Sequence, residues 1–377
     1  MATQRRSDRK DILIQELLRD DGLRQRARLD FASRGSSSRC RGSLQPLCRD
    51  VFDAFGRRCN DQRRYLRGKS RAALRLSATG DARQTGVVIA AHRRHFEVLL
   101  QTGESIECLQ KGRERQLACG DRVEVVRIAG GGAIERIAPR DTLIYRSDAF
   151  HEKLIAANAT QIAGVVAPGL MLDEELIHRW MIAAEAEHCR FVVAANKRDL
   201  PEFVALTRRL SSVTRLGYPV VELAARHDVG PLIPLLSGQR SVLVGQSGMG
   251  KSTIINALAP SAATRTEEVS TSLRAGRHTT TATTLYPLPQ LGEGTWIVDS
   301  PGMKAFGLAH VPPDVLEHAF VELRPLIGKC RFRDCRHDQE PGCAVQDAVA
   351  CGEVQPFRLA LLHRLIRESA GVRSPVV

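Results

Sequence analysis

The run Gly245-Gln246-Ser247-Gly248-Met249-Gly250-Lys251-Ser252 has the GxxxxGK[ST] spacing of a phosphate-binding loop. Its glycines let backbone N–H groups turn inward around phosphate oxygens, Lys251 reaches the β- and γ-phosphates, and Ser252 offers a hydroxyl to Mg²⁺. An apolar run at 241–244 precedes the loop, and the helical pattern Thr253-Ile-Ile-Asn-Ala-Leu258 follows it. That strand–loop–helix context also aims a helix N-terminus at the anion. Upstream, Asn196-Lys197-Arg198-Asp199 closes another apolar run. Asp199 can accept from both N1–H and the 2-amino group of guanine while Asn196 faces the O6 and N7 edge. Adenine offers Asp199 no such pair, and an unpaired carboxylate is costly in a site, so GTP and GDP are the expected ligands rather than ATP. Downstream, Asp299-Ser300-Pro301-Gly302 ends a third apolar run, with Asp299 expected near the metal through a water and the Gly302 N–H near the γ-phosphate. Between them, Gly276-Arg277-His278-Thr279-Thr280-Thr281 lies in a Ser/Thr/Gly-rich stretch. It reads as a switch in which Thr279 or Thr280 closes on Mg²⁺ when the γ-phosphate is present.

A second cluster, Cys330-x₄-Cys335-x-His337-x₅-Cys343, gathers three thiols and one imidazole within fourteen residues. Four protein ligands suit a closed tetrahedral Zn²⁺ site and leave no open position for a metal-bound water, so the expected role is structural. Cys351 is the nearest competing ligand, whereas Cys40, Cys48 and Cys59 have no partnering histidine and are expected as free thiols.

These residues need scaffolds to bring them together. From about 158 to 302 short apolar runs at 161–166, 191–195, 218–222, 241–244 and 296–298 alternate with helical patterns near 173–187, 201–210 and 251–258. Alternation of that kind predicts an α/β domain with a mostly parallel sheet covered on both faces, assigned to residues 144–310. Before it, at 84–143, β-type runs near 86–90, 95–100, 105–108 and 121–127 are separated by Gly-rich turns and predict a small OB-type barrel. After it, residues 311–377 read as helices around the Cys/His cluster, ending in a basic amphipathic segment at 354–370.

The 377 residues carry 55 Lys and Arg against 42 Asp and Glu, and most of the excess lies in residues 1–83, with 21 basic against 10 acidic side chains. This basic extension, with a linker-like composition at 34–83 and helical patterns near 11–19 and 47–56, has the charge to release counterions from a phosphate backbone. The chain has no apolar run of the roughly 18–20 residues needed to span a bilayer and no apolar stretch at its start that would serve as a signal peptide. A cytoplasmic, monomeric protein without membrane contact is expected, and the scattered cysteines are expected reduced.

The order of the motifs, base-reading NKxD first, then phosphate loop, switch and DxxG, is a circular permutation of the Ras-like order. Together with the barrel and the Cys330, Cys335, His337, Cys343 pattern, it resembles the circularly permuted GTPases of the small-ribosomal-subunit biogenesis family, RsgA (YjeQ/EngC). The resemblance covers about residues 84–370. It implies a late assembly factor that binds the 30S subunit near its decoding region, grips 16S rRNA through the barrel and zinc domain, and leaves after hydrolysing GTP. The chain departs from the family at Ala224-Ala225, where Ser-Ala is usual, and in the length of its N-terminal extension. The residue after the DxxG glycine is Met303, where Ras-like enzymes carry a water-orienting glutamine. Slow intrinsic turnover is therefore expected, with His278 as the catalytic residue that positions water, a role the resemblance also implies. The competing reading is an RNA-binding module in which nucleotide only sets the conformation.

Overall fold

Strands whose side chains are apolar on both sides must be sandwiched between layers, and the central strands of this chain obey that rule. In the computed structural model, which describes residues 83–92, 95–110, 116–147, 152–169, 172–260, 283–300 and 306–371, β8 (Gln161–Val166) is buried at every position. Ile162 and Val166 join the core on one face while Ala163 and Val165 join a second core on the other. The same alternation sends Phe191 and Val193 of β9 (Arg190–Ala195) one way and Val192 and Ala194 the other. β11 (Arg240–Val244) and β13 (Trp296–Asp299) follow suit.

The strands β10 (Val220–Glu222), β9, β8, β11 and β13 lie side by side and parallel. One face is covered by α1 (Glu174–Ala186) and α2 (Phe203–Arg209), and the other by α4 (Ile233–Leu236) and α5 (Lys251–Leu258), with the short α3 (Ser211–Arg215) following α2. The carboxylate of Asp173 caps α1 by accepting from Leu176 N, and Glu174 and Glu175 complement the positive end of the helix dipole.

The barrel comprises β1 (Gln84–Ala91), β2 (Phe96–Leu100), β3 (Ser105–Gln110), β4 (Arg122–Ile128) and β5 (Gly131–Ile137). β1 pairs with both β2 and β4, and β3 pairs in parallel with β5, so the ring closes in the order β1-β2-β3-β5-β4 of an OB-fold. Its core holds Val88, Val98, Leu100, Ile106, Val123, Val125 and Ile134. A hairpin of β6 (Leu143–Ser147) and β7 (Glu152–Ala157) leads from the barrel into β8. The fully buried Asp121 carboxylate accepts from Arg140 at 2.7 and 2.8 Å, and Asn158, in the left-handed region at φ 57°, donates to Gly120 O at 2.9 Å. The first contact closes the end of the barrel, and the second fastens it to the α/β unit.

β12 (Thr283–Pro287) runs antiparallel to β13 on one side and to β1 on the other, making one eleven-stranded sheet that passes from α/β domain into barrel. Beyond β13 come α6 (Pro313–Ala319), α7 (Ala344–Ala350) and α8 (Pro356–Gly371). Leu316, Val345, Leu361, Leu362 and Leu365 from these helices join the same core as α1. The helical pattern at 201–210 folds as α2, with α3 following it outside that pattern, and the predicted strand at 218–222 begins only at Val220. Pro219 has no N–H to give the ladder, although its carbonyl accepts from Val193 N at 2.9 Å. Strands β5, β6, β7 and β12 lay outside the sequence reading. Among the described residues no helix is long and apolar enough to cross a membrane.

Candidate nucleotide site and metal centre

The phosphate loop spans the gap from the end of β11 to the first turn of α5, as its sequence context requires. Two of its glycines have no substitute. A Cβ on Gly245 would lie 2.6 Å from Val165 O, and one on Gly250 would lie 2.1 Å from Asn196 Nδ2. Gly250 also sits at φ +100°, a conformation that L residues rarely adopt. Ser247, Gly248 and Ser252 face solvent, Thr253 is half-buried, and Met249 is buried in the core against α5. Lys251 is only 8 % exposed, and its ammonium donates to Gly245 O at 2.7 Å and Gln246 O at 3.2 Å. Burial lowers its pKa from the ordinary lysine value, with Asp299 opposing.

Asn196 is the joint between the two nucleotide motifs. Its Nδ2 donates to Met249 O of the phosphate loop at 3.0 Å, and its Oδ1 accepts from Ala225 N at 2.9 Å. The sequence reading aimed this side chain at the guanine O6 and N7 edge. With its carbonyl accepting from Ala225 N and one N–H given to Met249 O, the second amide N–H remains for an acceptor such as guanine O6 or N7, in keeping with that expectation. Lys197 holds a left-handed backbone at φ 64°, and its carbonyl accepts from Leu200 N, so the chain turns and leaves Asp199 exposed. The Ala224-Ala225 loop thus acts through its main chain.

Asp299 ends β13 beside Leu243 of β11. Burial pushes its carboxyl up to about 6, with Lys251 pulling the other way. The neighbouring Ser300 hydroxyl donates to Leu243 O, tying the end of β13 to the strand that feeds the loop. His278, Thr279, Thr280, Thr281, Gly302 and Met303 lie outside the described residues, as do Cys40, Cys48 and Cys59.

The ligand atoms of Cys330, Cys335, His337 and Cys343 all lie within 4.8 Å of one another. Cys330 Sγ is 3.9 Å from Cys343 Sγ, and His337 Nδ1 is 3.5 Å from Cys330 Sγ and 3.3 Å from Cys343 Sγ. Zn–S bonds of about 2.3 Å in a tetrahedron give edges of about 3.8 Å, so this donor set fits a zinc ion. His337 adopts a left-handed backbone at φ 60°, a strained conformation of the kind that collects at functional positions. Cys351 is exposed and outside the cluster. Glu317, whose Oε1 lies 2.7 Å from His337 Nε2, had no signal in the sequence because its partner lies twenty residues away.

A phosphate loop, a guanine-type base motif joined to it through Asn196, and a permuted order along one sheet define a circularly permuted P-loop GTPase. The comparisons agree. A family model described as RsgA GTPase matches residues 137–309. The small ribosomal subunit biogenesis GTPase RsgA of Nitrosospira multiformis is 48 % identical over 284 residues, covering 74 % of this chain and 90 % of that one. The crystal structure of YjeQ from Thermotoga maritima superposes with a TM-score of 0.59 at 28 % identity, over 78 % of this chain and 100 % of the other. YloQ, a circularly permuted GTPase, shares the fold with a TM-score of 0.57 at 21 % identity, over 79 % and 99 %. The chain belongs to the RsgA GTPase family and is a GTP hydrolase.

Proposed function

We propose that this GTPase serves assembly of the small ribosomal subunit and that the subunit stimulates its turnover. The observation that carries the nucleotide half of this reading is the Asn196 bridge between Met249 and Ala225, which makes phosphate loop and base motif one pocket. Residues Gly245–Thr253 cradle the phosphates, with Lys251 on the β- and γ-phosphates. Ser252, with Thr279 or Thr280, would hold Mg²⁺, and Asp299 would reach it through a water. Asn196, Lys197 and Asp199 frame the base, and the Gly302 N–H faces the γ-phosphate. A Mg²⁺ ion held by these residues would supply positive charge against the charge that develops on the transferring phosphate. His278 positions the attacking water in place of the glutamine that Met303 cannot replace.

One Zn²⁺ held by Cys330, Cys335, His337 and Cys343 organises a loop suited to 16S rRNA. Phe332 is 42 % exposed, the Arg331 guanidinium lies 5.6 Å from its ring centroid, and Lys329, Arg331 and Arg333 are exposed without an ion pair to any described residue. Aromatic and cationic groups in one exposed loop make a stacking platform for unpaired bases. By contrast, each described arginine of the barrel region faces a carboxylate: Arg83 with Glu135, Arg122 with Asp141, Arg127 with Glu104, Arg136 with Glu124 and Arg140 with Asp121. The zinc loop therefore carries more of the RNA affinity than these barrel arginines. The names borne by the relatives support a small-subunit partner, and a cytoplasmic monomer fits that work.

The test compares GTP turnover with and without purified small subunits. Stimulation is expected, and His278→Ala is expected to abolish it. Turnover indifferent to the subunit would favour a nucleotide-gated RNA-binding module, and full stimulation of His278→Ala would remove that residue from the mechanism.

A further inference from the structure

The two ring nitrogens of His337 face different chemistry. Nδ1 points among the thiols, 3.5 Å from Cys330 Sγ and 3.3 Å from Cys343 Sγ, whereas Nε2 lies 2.7 Å from Glu317 Oε1. Glu317 stands on α6, a helix outside the segment that carries the four ligands. His337 is 5 % exposed, so its ring has no water to turn towards. A carboxylate at that distance holds the ring proton on Nε2 and leaves the Nδ1 lone pair for a metal. The helix bearing Glu317 is itself anchored without that side chain. Leu316 and Ala319 are buried in the core shared with α1 and α8, so α6 is a fixed platform rather than a follower of the loop.

We propose that Glu317 is the positioning residue of the metal centre: it accepts the Nε2–H of His337, fixes Nδ1 as the ligating atom and ties metal retention to α6. The proposal rests on the reading of Cys330, Cys335, His337 and Cys343 as a zinc site. It adds a fifth functional residue, and through it the metal-bearing loop is fastened to the helix that follows the DxxG strand. A carboxylate behind a metal-bound histidine raises its basicity and restricts its rotation, so its loss should appear as faster metal escape rather than as a different metal count.

The experiment measures zinc release from the full-length protein to a chromogenic chelator, with zinc content determined by elemental analysis. Wild-type protein is expected to hold one zinc, and Glu317→Ala to release it about 10–100-fold faster. Glu317→Gln, whose amide oxygen still accepts a hydrogen bond from Nε2–H, should fall between them. In a His337→Cys background, where no imidazole needs orienting, Glu317→Ala should leave the release rate unchanged. Equal acceleration in both backgrounds would overturn the proposal, since Glu317 would then act through the packing of α6. Imidazole ¹⁵N shifts of the wild-type protein give an independent reading that needs no variant. A protonated Nε2 and a metal-bound Nδ1 are expected, and the reverse assignment would overturn the proposal while leaving the zinc site intact. A wild-type protein that binds no zinc would overturn the metal reading itself.

Discussion

Asn196 shows how one amide sets the geometry of a pocket assembled from distant segments. With its oxygen taken by Ala225 N and one N–H by Met249 O, it fixes the distance between phosphate loop and base loop. In the function proposed above, discrimination between bases falls to Asp199, whose side chain is exposed. Exchanging that carboxylate for an amide replaces an acceptor by a donor, which mismatches guanine but suits the 2-carbonyl of xanthine. Asp199→Asn is expected to weaken GTP binding by about 1–3 kcal/mol, the cost of an unmet polar group, and to improve XTP binding. Calorimetry with both nucleotides measures this, and unchanged selectivity would refute the role. At this scale the sequence was most informative where chemistry demands fixed spacing along the chain, as at Gly250-Lys251-Ser252. It was silent on Glu317, because that partnership exists only after folding.

Among the elements, α1 carries the junction with the C-terminal helices. Arg179 forms a bidentate pair with Glu368 of α8, and Glu175 accepts from Arg364 of α8 at 2.6 Å. Arg358, 1 % exposed, pairs with Glu322 at 2.6 and 3.1 Å, lies 4.2 Å from the Phe320 ring centroid, and donates to His178 Nδ1 at 3.2 Å. Burial first, and the Arg358 charge second, lower the His178 pKa to about 3. The unfolded chain therefore takes up a proton at this residue below about pH 6.5, while the folded chain resists until about 3. Stability is full above pH 6.5 and falls as the medium is acidified, at about 1.4 kcal/mol per pH unit for one such proton. Denaturant titrations between pH 7 and pH 5 should show a steeper loss for wild type than for His178→Gln, which has no proton to gain. Equal slopes would show that His178 is already charged in the folded state.

Element boundaries were less legible than motifs, for local reasons. β5 begins Gly131-Gly132, which reads as a turn, yet a Cβ on Gly132 would lie 2.6 Å from Val125 Cγ1 and 2.7 Å from Cys108 Sγ. The glycine is there because backbone and barrel interior meet, a requirement invisible until the barrel closes. The central strands announced themselves because burial on two sides leaves few polar residues, such as Gln161 and Ser241, to blur the pattern.

Over the molecule as a unit, charge is distributed unevenly. The described barrel arginines are matched by carboxylates, whereas residues 1–83 hold 21 basic side chains against 10 acidic ones. Removing residues 1–82 is expected to leave GTP affinity unchanged and to weaken small-subunit binding. The slope of log affinity against log salt should also become shallower, since each lost phosphate contact removes about 0.7–0.9 from it. Filter binding across a salt series checks this, and an unaltered slope would mean that the extension touches no RNA.

The shared sheet has a mechanical corollary. Ala90 and Ala91 of the barrel pair with Thr284 and Thr283, the first residues of β12, and Cys119 Sγ donates to Thr283 O at 3.1 Å. Thr283 comes two residues after the Thr279–Thr281 stretch. The strand that continues this stretch is thus laddered to the barrel on one side and to the strand ending at Asp299 on the other. Barrel and α/β domain share one unbroken run of backbone hydrogen bonds.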